Sequence, residues 1–313
     1  MSRMKSRRNN YYLLSLGCSK NTVDSESMAQ VLHIANGDGV NKKLSAENNR
    51  LGQLLAEQAS DERILEELPP PRTDADERAS GGQSYADLAS GYYEAAVKLH
   101  MAGDLERAVQ QYRQAILMNP DIAAYHADLG EAYRLLGRTR QAIESMQRAI
   151  EIDPQLANAF TTLGVIYDSQ DLLVNAVEYH RKAIAIDPGH FIAYNNLGHS
   201  YDRLGLIRAA MACYEKAIEL NPDFAPAYDN LGTNHLNLGD IETGIKMIQK
   251  ALNLSSINDP QRPLYLNDLG AAYVMKKEYK VAAGYFEQAA RLAPYNPDIM
   301  RNYQFIKEYL NER

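Results

Sequence analysis

The sequence predicts an all-α fold: a solenoid of six repeated helical hairpins over residues 89–296, closed by a capping helix over 297–311. A poorly ordered or small helical N-terminal region precedes it. Three observations predict this. Pro120, Pro154, Pro188 and Pro222 recur every 34 residues, and Leu129-Gly130, Leu163-Gly164, Leu197-Gly198 and Leu231-Gly232 recur in the same phase. A third series, Ala115, Ala149, Ala183, Ala217, Ala251 and Ala289, marks all six units at one position. A fixed period of this length is the signature of stacked supersecondary units, none of which can bury its apolar faces alone.

With proline as residue 32, the units run 89–122, 123–156, 157–190, 191–224, 225–262 and 263–296, the fifth being four residues longer. In each, a first helix occupies about positions 1–14 and a second about 17–30, with a short turn between them. The proline ends the second helix. Position 8 holds Gly130, Gly164, Gly198, Gly232 and Gly270, so that two helices can approach closely at roughly 1 kcal/mol of lost helix propensity. Position 20 is small for the same reason, with Ala108, Ala142, Ala176, Ala210, Gly244 and Ala282. Large residues at positions 4, 7, 11 and 24, such as Tyr194, Leu197, Tyr201 and Tyr214, fill the spaces between.

The segment 297–311 is expected to close the array. Asn296 can cap it, Pro297 suits its first turn, and Ile299, Tyr303, Ile306 and Leu310 make an inner stripe. Arg301, Gln304, Lys307 and Glu308 then face water.

This pattern resembles the tetratricopeptide-repeat (TPR) family, over an expected domain of 86–313. The resemblance implies a right-handed superhelix whose first helices line a concave groove that binds a protein or peptide partner. In that family positions 2, 5, 6, 9, 12 and 13 look into the groove, and helical periodicity places 2, 5, 9 and 12 on one face. The groove residues expected here are Asn158 and Thr161 in the third unit and Asn195, Asn196, His199, Asp202 and Arg203 in the fourth. The fifth contributes Asp229, Asn230, Thr233 and Asn237, and the sixth Asn267. The groove lysines with which some relatives clamp a peptide C-terminus are missing at positions 2 and 5. The Asn-Leu-Gly triplets at Asn196 and Asn230 instead resemble the repeats preceding the catalytic domain of O-linked N-acetylglucosamine transferases. That resemblance implies asparagines holding an extended peptide backbone, since an amide both donates and accepts.

The first 88 residues differ in character. The segment 1–27 reads as a leader, 28–68 as short helices, and 69–85, which is rich in Pro, Gly, Ser and charge, as a flexible linker. Basic residues up to Arg8, an apolar run from Tyr11 to Leu16 and then Gly17-Cys18 allow an alternative reading as a lipoprotein tethered through Cys18. Residues 12–28 also resemble the start of the radical-SAM methylthiotransferases, where the cysteine matching Cys18 helps bind an iron–sulfur cluster. A thiolate-held cluster needs about four ligands, and the chain has only Cys18 and Cys213. Residues 28–68 loosely resemble an uncharacterised domain of planctomycete-type bacterial proteins.

Composition narrows the function. A net charge of -7 and a pI near 5.6 lack the basic excess that phosphate contacts require, which excludes nucleic acid as the expected partner. Two cysteines fit the cytoplasm, and no apolar run reaches the length of a membrane span. His126, His180 and His235 fall in packing slots, and no phosphate-binding loop or nucleophile elbow is present. The expectation is a non-enzymatic scaffold without metal or cofactor. A remnant or fusion of a methylthiotransferase is the less favoured alternative.

Overall fold

The computed structural model describes residues 84–311; the readings of 1–27, 28–68 and most of the linker, Cys18 included, lie outside the described residues. The described residues form thirteen α-helices and no strand. They fall into two compact units that meet in sequence between Pro188 and Gly189.

The first unit holds three hairpins: α1 (Tyr85–Met101) with α2 (Leu105–Met118), α3 (Ala123–Leu135) with α4 (Thr139–Ile152), and α5 (Ala157–Ser169) with α6 (Leu173–Ile186). The second holds α7 (Phe191–Arg203) with α8 (Ile207–Leu220), α9 (Ala225–Asn237) with α10 (Ile241–Leu254), α11 (Arg262–Met275) with α12 (Tyr279–Leu292), and the closing helix α13 (Pro297–Asn311). Within each unit, every second helix packs on its own first helix, and α2, α4, α8, α10 and α12 pack also on the helix that follows.

The residue types explain the boundaries. Position 31 precedes proline, and steric clash with the proline ring drives it out of the helical region. Asn119, Asp153, Asp187 and Asn221 accordingly cap α2, α4, α6 and α8 in extended conformations. Two of these caps also begin the next turn, with Asp153 accepting from the Gln155 amide and Asn221 from the Asp223 amide. Asn296 accepts from the amides of Asp298 and Ile299, as expected of the α13 cap. Helix α1 starts earlier than the repeat phase predicts, at Tyr85, because Ser84 accepts from the Asp87 amide and supplies an N-cap outside the repeat pattern.

The turn inside each hairpin places position 15 in the left-handed region. Gly103, Gly137, Gly205 and Gly239 do so freely, but Asp171 (φ 63°) and Lys277 (φ 66°) carry a side chain there. For an L-residue this costs roughly 1–2 kcal/mol, and least for Asp, Asn or Gly. Replacing the exposed Lys277 by glycine is therefore expected to raise stability by about 1 kcal/mol, read as a higher urea midpoint at unchanged slope. An unchanged or lower midpoint would show that the turn is not strained.

The small residues sit where the two helices of a hairpin cross. Ala108, Ala142, Ala176, Ala210 and Ala282 are fully buried, as is alanine at position 27 of all six units. The glycines at position 8 lie beneath the side chain at position 24 of the same unit. A Cβ on Gly164 would come within 2.3 Å of the His180 ring, one on Gly198 within 2.6 Å of Tyr214, and one on Gly270 within 2.6 Å of Phe286. Position 8 is thus a slot for the residue at 24.

In α13, Ile299 and Ile306 are buried, Tyr303 and Leu310 half-buried, and Arg301, Gln304, Lys307 and Glu308 exposed, the expected pattern of a closing helix.

Candidate partner-binding face

First helices touch first helices of the next unit, α7 to α9, α9 to α11 and α11 to α13. The seam between them is polar and repeats with the chain. Position 5 of one unit meets position 6 of the next. Tyr93 donates to Asp128 at 2.6 Å, Asn230 donates to the Asn195 Oδ1 at 3.0 Å, and Asn302 donates to the Asn267 Oδ1 at 2.8 Å. At the same step Asp229 faces Asp268, a like-charged rung beside these three donor–acceptor pairs. Burial, and then the neighbouring Asp268 charge, push the Asp229 carboxyl well above its usual range. Burial also raises Asp268 to about 6, while the Asn267 amide that donates to it pulls the other way.

This ladder changes the standing of several predicted groove residues. Thr161, Asn195, Asp229 and Asn267, all at position 5, are buried. The Thr161 hydroxyl donates to the Ala157 carbonyl, and the other three are built into rungs. Asn195, Asp229 and Asn267 face the neighbouring repeat because the side chain at position 5 leaves its helix at the edge of the first-helix contact. Asp202, at position 12, is half-buried and engaged within its own compact unit. It accepts from the Tyr214 hydroxyl at 2.7 Å and from the Asn234 amide at 2.8 Å. Burial raises its carboxyl to about 6 despite both hydrogen bonds.

The pairing of positions 12 and 24 recurs within hairpins. His100 with Tyr112 (3.2 Å), Asp168 with His180 (3.7 Å) and Asp202 with Tyr214 are polar on both sides, whereas Leu236 with Ile248 and Val274 with Phe286 are apolar on both. The other histidines expected in packing slots are held there. His126 bonds the Pro120 carbonyl at 2.8 Å, burial lowering its pKa, and His235 lies 3.3 Å from Asp240.

Asn158, His199 and Arg203 are exposed, and Asn196, Asn230, Thr233 and Asn237 half-buried. Within the second unit Asn195, Asn196 and His199 of α7, Asp229 and Asn230 of α9, and Tyr265 of α11 line a pocket of about 210 Å³, together with Pro226, Gln261 and Leu264. The pocket therefore collects five predicted residues, two more at groove position 2 (Pro226 and Leu264), and Gln261 and Tyr265, which the repeat phase does not assign to the groove. Gln261 and its neighbours belong to the four-residue insertion, where Arg262 anchors the end of α10. Its Nη1 donates to the carbonyls of Leu252 and Ser255 and to the Ser255 hydroxyl.

Four family profiles described as tetratricopeptide repeat match residues 102–157, 157–190, 191–224 and 223–294. The chain belongs to the tetratricopeptide-repeat family. These matches lend nothing to the resemblances at 12–28 and 28–68. A comparison with curated proteins finds no relative that matches. Among solved structures the tetratricopeptide fold is shared with a chain of the APC/C hetero-tetramer Cut9-Hcn1, at 16% identity and a TM-score of 0.63. That alignment covers 70% of this chain and 42% of the other, so the chain spans well under half of that relative's length. PilF of Pseudomonas aeruginosa is similar at 18% identity and TM-score 0.60, with 73% of this chain and 99% of PilF covered. PilW, a type IV pilus biogenesis factor, is similar at 19% and 0.60, with 68% of this chain and 97% of PilW covered. At such identities the likeness concerns the fold. Tetratricopeptide repeats are protein-interaction scaffolds, and no described helix is long and apolar enough to cross a membrane.

Proposed function

We propose that the chain is a non-enzymatic scaffold that holds an extended protein or peptide segment along its first-helix face. The observation that carries this reading is the pocket lined by three successive first helices. In its lining the exposed Leu264 of α11 stands with amides, and Ile192 is a further exposed apolar residue of α7, at the same repeat position as Leu264. An extended backbone asks for that combination, with amides to pair its peptide units and apolar contacts to bury its side chains. Asn196, Asn230 and Asn237 are the amides best placed for it. Asn230 still has its Oδ1 to offer, since its Nδ2 is spent on Asn195. The outer surface of α8, with Glu215 and Glu219, is charged and solvated. A buried Cys213 outside any disulfide and the low cysteine content suit a reducing compartment such as the cytoplasm.

The test is site-resolved crosslinking in the full chain. A photoreactive residue at Ile192 or His199 is expected to trap a discrete partner, whereas one at Glu215 on α8 is expected to trap none. Capture from Glu215 alone would place the interaction on the opposite face and refute the reading.

A further inference from the structure

The pocket between α7, α9 and α11 contains a group with an unmet requirement. Asp229 is 9% exposed, and its Oδ1 receives no hydrogen bond from any described residue. A buried acceptor left without a donor costs roughly 1–3 kcal/mol, and more when charged. Neither lysine nor arginine lines the pocket. The amides nearest to Asp229 are already committed in part, Asn230 donating to Asn195 and the Gln261 Oε1 accepting from Tyr265 at 2.7 Å. Two acceptors therefore remain for an incoming donor, the Asp229 Oδ1 and the Asn230 Oδ1, and of these the Asp229 oxygen is the buried one without a partner.

Size and rim add to this. About 210 Å³ is below the range that encloses a whole small-molecule ligand, roughly 300–1,000 Å³, and suits a single long side chain. Pro226 and the half-exposed Leu264 supply apolar surface along which a methylene stem can lie while its charged head points inward.

We propose that this pocket receives one basic side chain, lysine or arginine, of the peptide held on the first-helix face, its cationic head donating to Asp229. The proposal rests on the groove reading above and names the chemistry its ligand must carry. In the free protein, burial and the facing Asp268 favour a proton on the Asp229 carboxyl, and a cation entering the pocket displaces that proton to solvent. The titratable groups around Asp229 are Asp268 and Tyr265 on α11 and His199 on α7.

A displayed library of random heptapeptides, panned at pH 7.5 on the full chain and on its Asp229→Asn variant, tests this. Panning on the wild type is expected to enrich Lys or Arg at one position, and that preference is expected to vanish on Asp229→Asn while the choices at other positions persist. For a recovered peptide, replacing the basic residue by norleucine is expected to weaken binding about tenfold or more on the wild type, the worth of a hydrogen bond to a charged group, and to change little on the variant. Peptides recovered with no basic preference, or equal affinity for the lysine and norleucine forms, would overturn the proposal and leave the groove reading standing. Recovery of no peptide by the wild type would sink both. If Asp229→Asn fails to fold, the lysine-to-norleucine ratio on the wild type decides alone.

Discussion

Replacing Tyr214 by alanine is expected to cost about 3–5 kcal/mol of stability, the range for deleting a buried aromatic side chain. Tyr214 is 0% exposed, lies over Gly198 in the slot that position 8 creates, and packs in a cluster with Ala210 and Leu231. Tyr214→Phe separates the two contributions, because it keeps the ring and removes only the hydroxyl that donates to Asp202 at 2.7 Å. It leaves a half-buried carboxylate oxygen without its donor, at about 1–3 kcal/mol. Urea denaturation followed by far-UV circular dichroism measures both. Because each repeat gains its stability from its neighbours, Tyr214→Ala is also expected to broaden the transition as the hairpin α7–α8 uncouples from α9. Equal losses for the two variants would mean that the hydroxyl, and not the ring, holds this hairpin together.

The second large effect is a dependence on pH. In the folded chain the Asp202 carboxyl titrates at about 6 against an ordinary 3.8, chiefly because it is buried. Below about pH 4 it is protonated in both states and its environment is fully tolerated. Between pH 4 and 6 the unfolded chain ionises while the folded chain holds its proton, so stability falls as pH rises. Above 6 the loss is complete. At 1.36 kcal/mol per pKa unit it comes to about 3 kcal/mol. Asp229 and Asp268, also raised by burial, act in the same direction. His126, whose imidazole is depressed by burial, and Asp240, pulled down by Thr243, act in the opposite one. The discriminating measurement is therefore the difference between Asp202→Asn and the wild type. The amide keeps an oxygen for Asn234 and turns its nitrogen toward the Tyr214 oxygen. The variant is expected to gain about 2–3 kcal/mol on the wild type between pH 4.5 and 7.5 in urea midpoints. A difference that stays flat across this range would show that Asp202 is ionised at no cost.

The repeat period made most of the fold legible. A proline can end a helix in one place only, and a glycine or alanine at a helix crossing admits no larger residue without displacing its partner, so Pro154, Gly164 and Ala210 each reported a local geometry through their identity alone. The candidate site was less legible. Helical periodicity fixes the direction of a side chain to within a turn, but position 5 stands at the edge of the first-helix contact. Whether Asn195 meets a ligand or Asn230 depends on how closely the next helix packs, and that is a property of two repeats together. Asp202 stands at a groove position by the repeat phase, but its hydrogen bond to Tyr214 was not legible, because Tyr214 reads as an ordinary core residue. The left-handed backbones of Asp171 and Lys277 had one signal, that both stand at position 15, where the four other units carry glycine. Gln261 lies in the insertion, which has no counterpart in the sister units, and Tyr265 stands at position 3, which the repeat phase does not assign to the groove.

The ladder of position 5 against position 6 bears on how such a chain can change length. A repeat can be lost or duplicated only if the residues newly brought face to face accept one another. Loss of 225–262 would set Asn195 opposite Asp268, an amide against a carboxyl, in place of two carboxyls. The junction that results is chemically easier than the one removed. Each rung thus acts as a compatibility rule between adjacent modules, written in two side chains, and along the described chain the rung between Asp229 and Asp268 is the one that neighbours of the commoner kind would not choose.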